Sequence, residues 1–370
     1  MIAGLITVLL LASLPVQQTD DVKARFNHAV ELQRQGEWKE AAAEYRQLLS
    51  AAPNYAEAQA NLGAVLVRLG KYDEAVAAYQ SALQINPRLT PVLLNLGIAY
   101  YQAGQFARAI APLESFLTSS PGNSQAEQLI GISLVELGRD AEAIVRLEPA
   151  VQTASADATV LYSLGLAYLR MKRPQLSDVI RRLEERADGG ALAHLLRGQD
   201  YLEAAAFEKA ESEFLQAAKV APELPRVEFF IGIADFKLGH STEAQSHFER
   251  ELSRSPGDFL TLYYLATVLE KKGDLDQARK RAESALEQDP ESVEARTLLG
   301  GILFKQDRTA DAARLLELAI SQRPDYVEAH YLLGRTYQRL GRKEDAARQF
   351  ADVDRLKAED RDREKERKPQ

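Results

Sequence analysis

The sequence repeats itself every 34 residues, and this period constrains the fold more than any other feature. Glycine forms one column with this spacing, broken by a single step of 33 and one alanine, at Gly63, Gly97, Gly131, Gly165, Gly198, Gly232, Ala266, Gly300 and Gly334. Alanine and proline form two more columns with the same period, for example at Ala41, Ala75 and Ala109 and at Pro53, Pro87 and Pro121. Three columns with one period indicate about ten copies of one unit, which bury their apolar faces by stacking.

Each unit has the sequence pattern of two helices. Residues 56–69 carry apolar side chains at helical spacing, at Leu62, Val65, Leu66 and Leu69. Gly70 ends this helix, and Asn86-Pro87 ends a second helix that begins at Tyr72. The short link requires the two helices to pack antiparallel. We expect Gly63 and Ala75 to lie where the helices cross closely, and Tyr79 to fill space towards the next hairpin.

These residues resemble the signature of the tetratricopeptide repeat (TPR) family. The repeat that holds Asn61-Leu62-Gly63 continues with Tyr72, Ala75, Tyr79, Ala82 and Pro87, and lacks only the leading Trp of the signature. The resemblance covers about residues 22–360. It implies an all-α, right-handed superhelical solenoid of about ten helix-turn-helix hairpins, which begin near Val22, Ala56, Thr90, Ser124, Ala158, Ala191, Pro225, Phe259, Val293 and Val327.

The repeats divide the chain at an irregular position. We expect repeats 1–5 over residues 22–190, repeats 6–10 with a terminal cap over 191–360, and a charged, disordered tail over 361–370. In the fifth repeat Lys172-Arg173-Pro174 replaces the usual turn, and one residue is missing. Leu176 stands where alanine is expected, with Ile180 and Leu183 on the same inward face. This pattern predicts a hinge or a local change of pitch; ordinary sequence drift is the alternative.

The N-terminal residues differ from the rest of the chain. Ile2 to Leu14 form an apolar run of thirteen residues before Pro15, whereas a membrane-spanning helix needs about twenty. The pattern of residues 1–18 therefore predicts a signal peptide or an N-terminal membrane anchor. A buried leading helix is a third possibility. We expect an exported protein, periplasmic or anchored to a membrane and facing outward, with a cytoplasmic location as the alternative.

The composition excludes several kinds of chemistry. The chain has no cysteine, which excludes disulfides and thiolate metal sites, and its net charge of −8 argues against nucleic acid as a partner. The five histidines are scattered, and no pair has metal-ligand spacing on one helix face. No P-loop, HExxH or GxSxG motif is present. We therefore expect no enzyme activity, no metal and no cofactor.

The TPR resemblance implies a binding groove lined by the first helices of the repeats. One column of this surface holds Asn27, Asn61 and Asn95, 34 residues apart. An asparagine amide both donates and accepts, so it can pair with a peptide backbone of any sequence. The column resembles the asparagine ladder in the TPR groove of O-GlcNAc transferases. The alternative is that these asparagines simply follow the repeat consensus.

Aromatic residues mark a second region of the predicted groove. They cluster in the first helices of repeats 7 and 8, and one more precedes them in repeat 5: Phe229, Phe230, Phe236, Tyr263, Tyr264 and Tyr162. Aromatic anchors dominate the energetics of many peptide-binding surfaces. Filling of the core is the alternative for each of them.

The sequence as a whole favours a non-catalytic protein–protein interaction scaffold. Its partners would be extended peptides or proteins bound in the concave groove, in envelope or secretion assembly. The alternative function is a substrate-docking or regulatory subunit that acts in trans for an enzyme such as a glycosyltransferase or a protease.

Overall fold

The computed structural model describes residues 20–152 and 157–367, with side chains over 21–152 and 157–363. These residues form twenty α-helices and no strand, which confirms the all-α repeat fold. The predicted signal or anchor segment, residues 1–18, lies outside the described residues. The helices are α1 (Asp20–Gln35), α2 (Trp38–Ala51), α3 (Ala56–Arg68), α4 (Tyr72–Ile85), α5 (Thr90–Gln102), α6 (Phe106–Ser119), α7 (Ser124–Glu136), α8 (Asp140–Ala150), α9 (Ala158–Arg170), α10 (Leu176–Glu184), α11 (Gly190–Glu203), α12 (Phe207–Val220), α13 (Val227–Leu238), α14 (Ser241–Arg254), α15 (Phe259–Lys272), α16 (Leu275–Gln288), α17 (Val293–Lys305), α18 (Thr309–Gln322), α19 (Val327–Arg339) and α20 (Lys343–Arg367).

The odd-numbered helices are the first helices of ten hairpins. Seven of them begin at the residue that the repeat period predicts, and α1, α11 and α13 begin within two residues of it. Each first helix is followed within two residues by a residue with positive φ, and these residues are spaced by 34 with one step of 33. Seven of these are glycine, and Lys172, Ala205 and Asp307 take the left-handed conformation without it. The left-handed residue after the first helix is therefore a feature of every described repeat, and glycine lowers the conformational cost of that backbone geometry.

The glycine column lies against large side chains of the second helices. A Cβ on Gly63 would lie 2.6 Å from the ring of Tyr79, sixteen residues later in the same hairpin. In the same way Gly97 faces Leu113, Gly131 faces Leu147 and Gly232 faces Phe248. Tyr79 is fully buried, and whether it also fills space towards the next hairpin stays a prediction. Glycine therefore makes room for a large side chain of the second helix.

The first helices form a layer of their own. Helices pack against their neighbours in the chain, as α3 does against α4 and α15 against α16, and first helices also contact the next first helix, as in α3 with α5 and α17 with α19. Within the described residues no second helix contacts the next second helix. The first helices are therefore the more closely spaced layer within each body.

The fifth repeat is irregular, but in a different way from our prediction. The link between α9 and α10 covers residues 171–175, whereas α3 and α4 are joined by residues 69–71. The prediction of a shortened turn is wrong: the helix is shortened instead, and α10 has only nine residues. Leu176, Ile180 and Leu183 are buried as expected. A Cβ on Gly165 would lie 2.3 Å from Leu196 of the following first helix. The hinge stays a prediction.

The chain forms two compact bodies that meet between Leu196 and Arg197, inside α11. We had placed a boundary between residues 190 and 191. At the C-terminus α20 runs to Arg367, so residues 361–367 are helical where we expected a disordered tail; residues 368–370 lie outside the described residues. No described helix combines the length and the apolar character needed to cross a bilayer.

Candidate binding surface

The asparagine column does not form one exposed row. Asn27 is exposed on α1, whereas Asn61 and Asn95 are only 2% and 5% exposed. In this conformation Asn61 and Asn95 cannot offer their amides to a ligand. Only Asn27 has the accessibility that the predicted role requires, and that role stays a prediction.

Packing against the preceding hairpin accounts for the burial of Asn61. Its amide lies beside the hydroxyl of Tyr45, which donates a hydrogen bond to Gln33 Oε1 over 2.9 Å. Burial raises the pKa of Tyr45, and the Asn61 side chain offsets part of that rise. No described residue accepts a hydrogen bond from Asn61 Nδ2. The side chain of Asn61 is therefore part of the polar packing between repeats 1 and 2.

The aromatic residues of repeats 7 and 8 do come together, in the C-terminal body. Three of them pack towards the second helices. Phe230 stacks on Phe214 of α12, with ring centroids 5.4 Å apart. Phe229 and Tyr264 both pack against Phe248 of α14, with centroid distances of 6.0 and 6.1 Å. Phe214 and Phe248 are fully buried. For Phe229, Phe230 and Tyr264 the main role is thus in the core, which was the alternative interpretation.

A second group remains on the first-helix layer. Phe236 of α13 and Phe259 and Tyr263 of α15 are half-buried, and we call them the first-helix aromatic surface. Among the described residues, their ring contacts are only with first-helix rings: Phe236 with Tyr264 at 6.1 Å, and Tyr263 with Phe259 at 6.3 Å and with Tyr264 at 5.4 Å. This surface is anchored on the core through Tyr264.

Carboxylates surround Tyr263 on one side of this surface. Burial raises the pKa of Tyr263, and the nearby charge of Glu328 raises it further, followed by smaller effects of Glu294 and Glu270. Glu294 pairs with Arg323 at 2.8 Å and Glu270 with Lys305 at 3.1 Å. Glu328 has no cationic partner within the described residues, and it accepts a hydrogen bond from Tyr326 over 3.3 Å. The hydroxyl of Tyr263 therefore lies in a negative local potential.

Further along the same layer, α19 presents another aromatic side chain. Tyr331 is 46% exposed, and the Arg335 guanidinium lies 5.9 Å from its ring and 5.0 Å from the ring of Phe304. Tyr162, by contrast, belongs to the N-terminal body, where it is half-buried on α9 against the core. The first-helix aromatic surface therefore does not include Tyr162.

The structure also brings together titratable side chains that we had considered scattered. Glu211 of α12, Asp235 of α13 and His240 of the following link each place one ligand atom within 4.8 Å of the other two. His247 of α14 also lies near this cluster, with its Nε2 3.7 Å from Asp235 Oδ2. Burial raises the pKa of Asp235, while His247 acts in the opposite direction. No helical spacing predicts this cluster because its members come from four elements of two hairpins.

The repeat pattern and the helix geometry agree with comparisons against known families. Profiles described as "Tetratricopeptide repeat" match residues 26–89, 231–279 and 263–326, residues 62–130, and residues 303–363. The chain belongs to the tetratricopeptide repeat family. Chains of this family are protein-interaction scaffolds. The stretch 131–230 lies outside these matches and contains the irregular fifth repeat. No curated protein matches the sequence.

Two solved structures are similar to the chain. One is described as "MamA RS-1 ArsTM double mutant", with 23% identity, a TM-score of 0.43, and coverage of 46% of this chain and 96% of that one. The other is the yeast protein Tom70, with 14% identity, a TM-score of 0.42, and coverage of 91% of this chain and 92% of that one.

Proposed function

We propose that this protein is a non-catalytic scaffold that binds an extended peptide or a segment of a partner protein on the first-helix aromatic surface. The observation that carries the proposal is the half-burial of Phe236, Phe259 and Tyr263 on the first helices of the C-terminal body. Tyr264 packs against the rings of Phe236 and Tyr263, and Tyr263 in turn packs against Phe259. Rings fixed by packing on one side and open on the other lose little side-chain entropy when a partner covers them.

The chemistry of the surface suggests what the bound segment contains. Apolar side chains would cover the exposed parts of the three rings. A Lys or Arg next to them would meet Glu328, which has no cationic partner among the described residues. Burying the rings supplies affinity, and the carboxylate favours basic over acidic segments. The preferred ligand is therefore an extended peptide with alternating apolar and basic residues.

Peptide selection tests this proposal. Random peptides displayed on phage are selected on the full chain, and the affinity of the selected peptides is measured by fluorescence anisotropy. We expect Tyr263→Ala to weaken binding by about 30-fold, because truncation of a central aromatic anchor costs about 2 kcal/mol. Tyr263→Phe keeps the ring and should bind nearly as well as the unaltered chain.

Two exposed side chains provide a matched comparison. Tyr331 on the first helix α19 is 46% exposed, and Leu318 on the second helix α18 is 48% exposed. We expect Tyr331→Ala to weaken binding about fivefold, the equivalent of about 1 kcal/mol, and Leu318→Ala to leave it unchanged. If Tyr331→Ala and Leu318→Ala lose equal affinity, or if Tyr263→Ala binds the selected peptides as tightly as the unaltered chain, the binding surface lies elsewhere.

We also propose that the scaffold is exported and acts in envelope or secretion assembly. Support comes from the apolar run of residues 2–14, which has the length of a signal-peptide core. Export would bring the C-terminal body together with partners outside the cytoplasm.

A further inference from the structure

Five arginine side chains in the described part of the C-terminal body lie against aromatic rings. Four of them also pair with a carboxylate, at nitrogen–oxygen distances between 2.7 and 3.0 Å: Arg226 with Asp258, Arg323 with Glu294, Arg339 with Asp307 and Arg342 with Asp345. The fifth is Arg335 of α19, and no described carboxylate pairs with it. Its charge is therefore open to an anion from outside the chain.

Two rings hold the unpaired guanidinium of Arg335 on the first-helix layer. Its Cζ lies 5.0 Å from the ring centroid of Phe304 on α17 and 5.9 Å from that of Tyr331 on α19. The residue is exposed. A guanidinium is always charged and has five N–H donors, and contact with a ring does not use these donors. Because the rings already restrict the side chain, it loses less entropy when an acceptor binds.

The dipole of the helix does not account for Arg335. Cations in the last turn complement the carbonyl end of a helix, and Arg339 serves this purpose by donating to the carbonyl oxygen of Phe304 over 2.8 Å. Arg335 lies one turn earlier. Since the Cζ of Arg339 is 3.9 Å from the centroid of Phe304, two guanidinium groups lie beside one ring. They repel each other, and an anion at Arg335 would offset this repulsion.

Opposite charges are separated along one face of α19. Glu328 and Arg335 are seven residues apart, so they share a face and lie about 10 Å apart along the helix axis. Tyr331 lies between them in the sequence. An extended peptide covers about 3.3 Å per residue, so two of its side chains within about four positions of each other reach both charges. A single bound segment can therefore meet Glu328 with a basic side chain and Arg335 with an acidic one.

We propose that Arg335 binds the side-chain carboxylate of an Asp or Glu in the peptide bound on the first-helix aromatic surface. This inference rests on the proposed function, because one segment has to cover the aromatic rings and reach Arg335. A guanidinium and a carboxylate form two parallel hydrogen bonds. The rings of Phe304 and Tyr331 favour a peptide side chain over a free inorganic anion, because its methylene groups cover them. The ligand therefore carries an acidic residue in addition to its apolar and basic residues.

Parallel phage selections test the inference. One random peptide library is selected on the full chain and on its charge-reversed variant Arg335→Glu. We expect peptides from the unaltered chain to carry an Asp or Glu within about four positions of a Lys or Arg. Peptides from Arg335→Glu should carry a Lys or Arg in place of that acidic residue. Identical consensus sequences from the two selections would overturn the inference.

Affinities of one selected peptide measure the contact directly. The peptide is made with an amidated C-terminus, so that its carboxylates are all in side chains, and binding is followed by fluorescence anisotropy. Changing its acidic residue to the corresponding amide should weaken binding to the unaltered chain about tenfold, the loss expected for a hydrogen bond to a charged group. The two peptides should bind Arg335→Gln equally. A difference of the same size in Arg335→Gln would overturn the inference.

The control variant Arg348→Gln removes the same charge from the second helix of the same hairpin. Arg348 lies on α20 and is 74% exposed, and its variant should keep the tenfold difference between the two peptides. Arg335→Gln should keep the helical circular dichroism and the Tm of the unaltered chain, because Arg335 is exposed. If it does not fold, the amide peptide on the unaltered chain decides, and equal binding of both peptides there overturns the inference.

Failure of this inference is distinct from failure of the proposed function. If no peptide is selected on the unaltered chain, or if the selected peptides bind Tyr263→Ala without loss, the proposed function fails and this inference fails with it. Peptides that lose affinity in Tyr263→Ala, but bind equally well with an acid or an amide, would overturn the role of Arg335 alone.

Discussion

Adjacent glycines in α17 show how strongly a single contact determines the residue type. A Cβ on Gly300 would lie 2.8 Å from Leu316, a fully buried side chain of α18, whereas a Cβ on Gly301 would meet Leu332 at 3.4 Å. The period of 34 includes Gly300 and not Gly301. The repeat column therefore marks the position where a large side chain of the second helix needs the space.

This contrast predicts effects of opposite sign. Gly300→Ala should lower the free energy of unfolding by about 1–3 kcal/mol, because overpacking forces Leu316 to move. Gly301→Ala should raise it by up to about 1 kcal/mol, because alanine favours a helix and the added Cβ would make only ordinary van der Waals contacts, 3.4 Å from Leu332 and 3.8 Å from Glu270. Urea denaturation followed by circular dichroism measures both. Destabilisation of similar size in the two variants would contradict our interpretation of the glycine column.

Single residues of the candidate surface were harder to predict. The sequence located the aromatic cluster, but it could not separate Phe230, which stacks on Phe214, from Phe236, which stays on the first-helix layer. Both lie on α13, and only contacts with other helices distinguish them. The same holds for Asn27 and Asn61, which share a repeat position but differ in burial because α1 has no described helix before it and α3 packs against α2.

At the scale of elements, α10 is the shortest of the described second helices. Its nine residues contrast with the fourteen of α4, and the long link before it replaces the first turn of a regular second helix. Leu176, Val179, Ile180 and Leu183 are its buried residues. The helix therefore holds its position through a few apolar contacts and fewer internal hydrogen bonds than its equivalents.

We predict that α10 opens more readily than α4. Hydrogen–deuterium exchange detected by mass spectrometry should show faster exchange for peptides from residues 176–184 than for peptides from residues 72–85, because short helices with few hydrogen bonds have a lower free energy of local opening. The helix α6, with fourteen residues, serves as a second reference. Protection of α10 equal to that of α4 and α6 would remove the support for a hinge in the fifth repeat.

For the whole molecule, the contacts are short in range along the chain. In each body a helix touches its sequence neighbours and, for first helices, the next first helix. Stability in such a chain is approximately a sum over repeats and their interfaces. This is why the irregular fifth repeat changes its own helix and the packing of Gly165 while the hairpins before and after keep the regular register.

The export proposal is also tested on the whole molecule. Mass spectrometry of the protein from its native host should find a mature chain that begins shortly after Ser13. Replacing Leu9 and Leu10 by Arg interrupts the apolar run and should leave Met1 in place. An intact Met1 on the unaltered protein in a soluble cytoplasmic fraction would contradict the proposal.

The sequence by itself determined the class of fold, the approximate number of hairpins and the starts of seven of the ten described first helices. These follow from residues whose role is local to one hairpin: the link that reverses the backbone, the glycine that faces its large partner, and the proline that ends the second helix. Tertiary structure decided which side chains are accessible. Contacts between hairpins decide the burial of Asn61, the core position of Phe230 and the closeness of Asp235 to Glu211, His240 and His247. The spacing of residues within one repeat cannot predict such contacts.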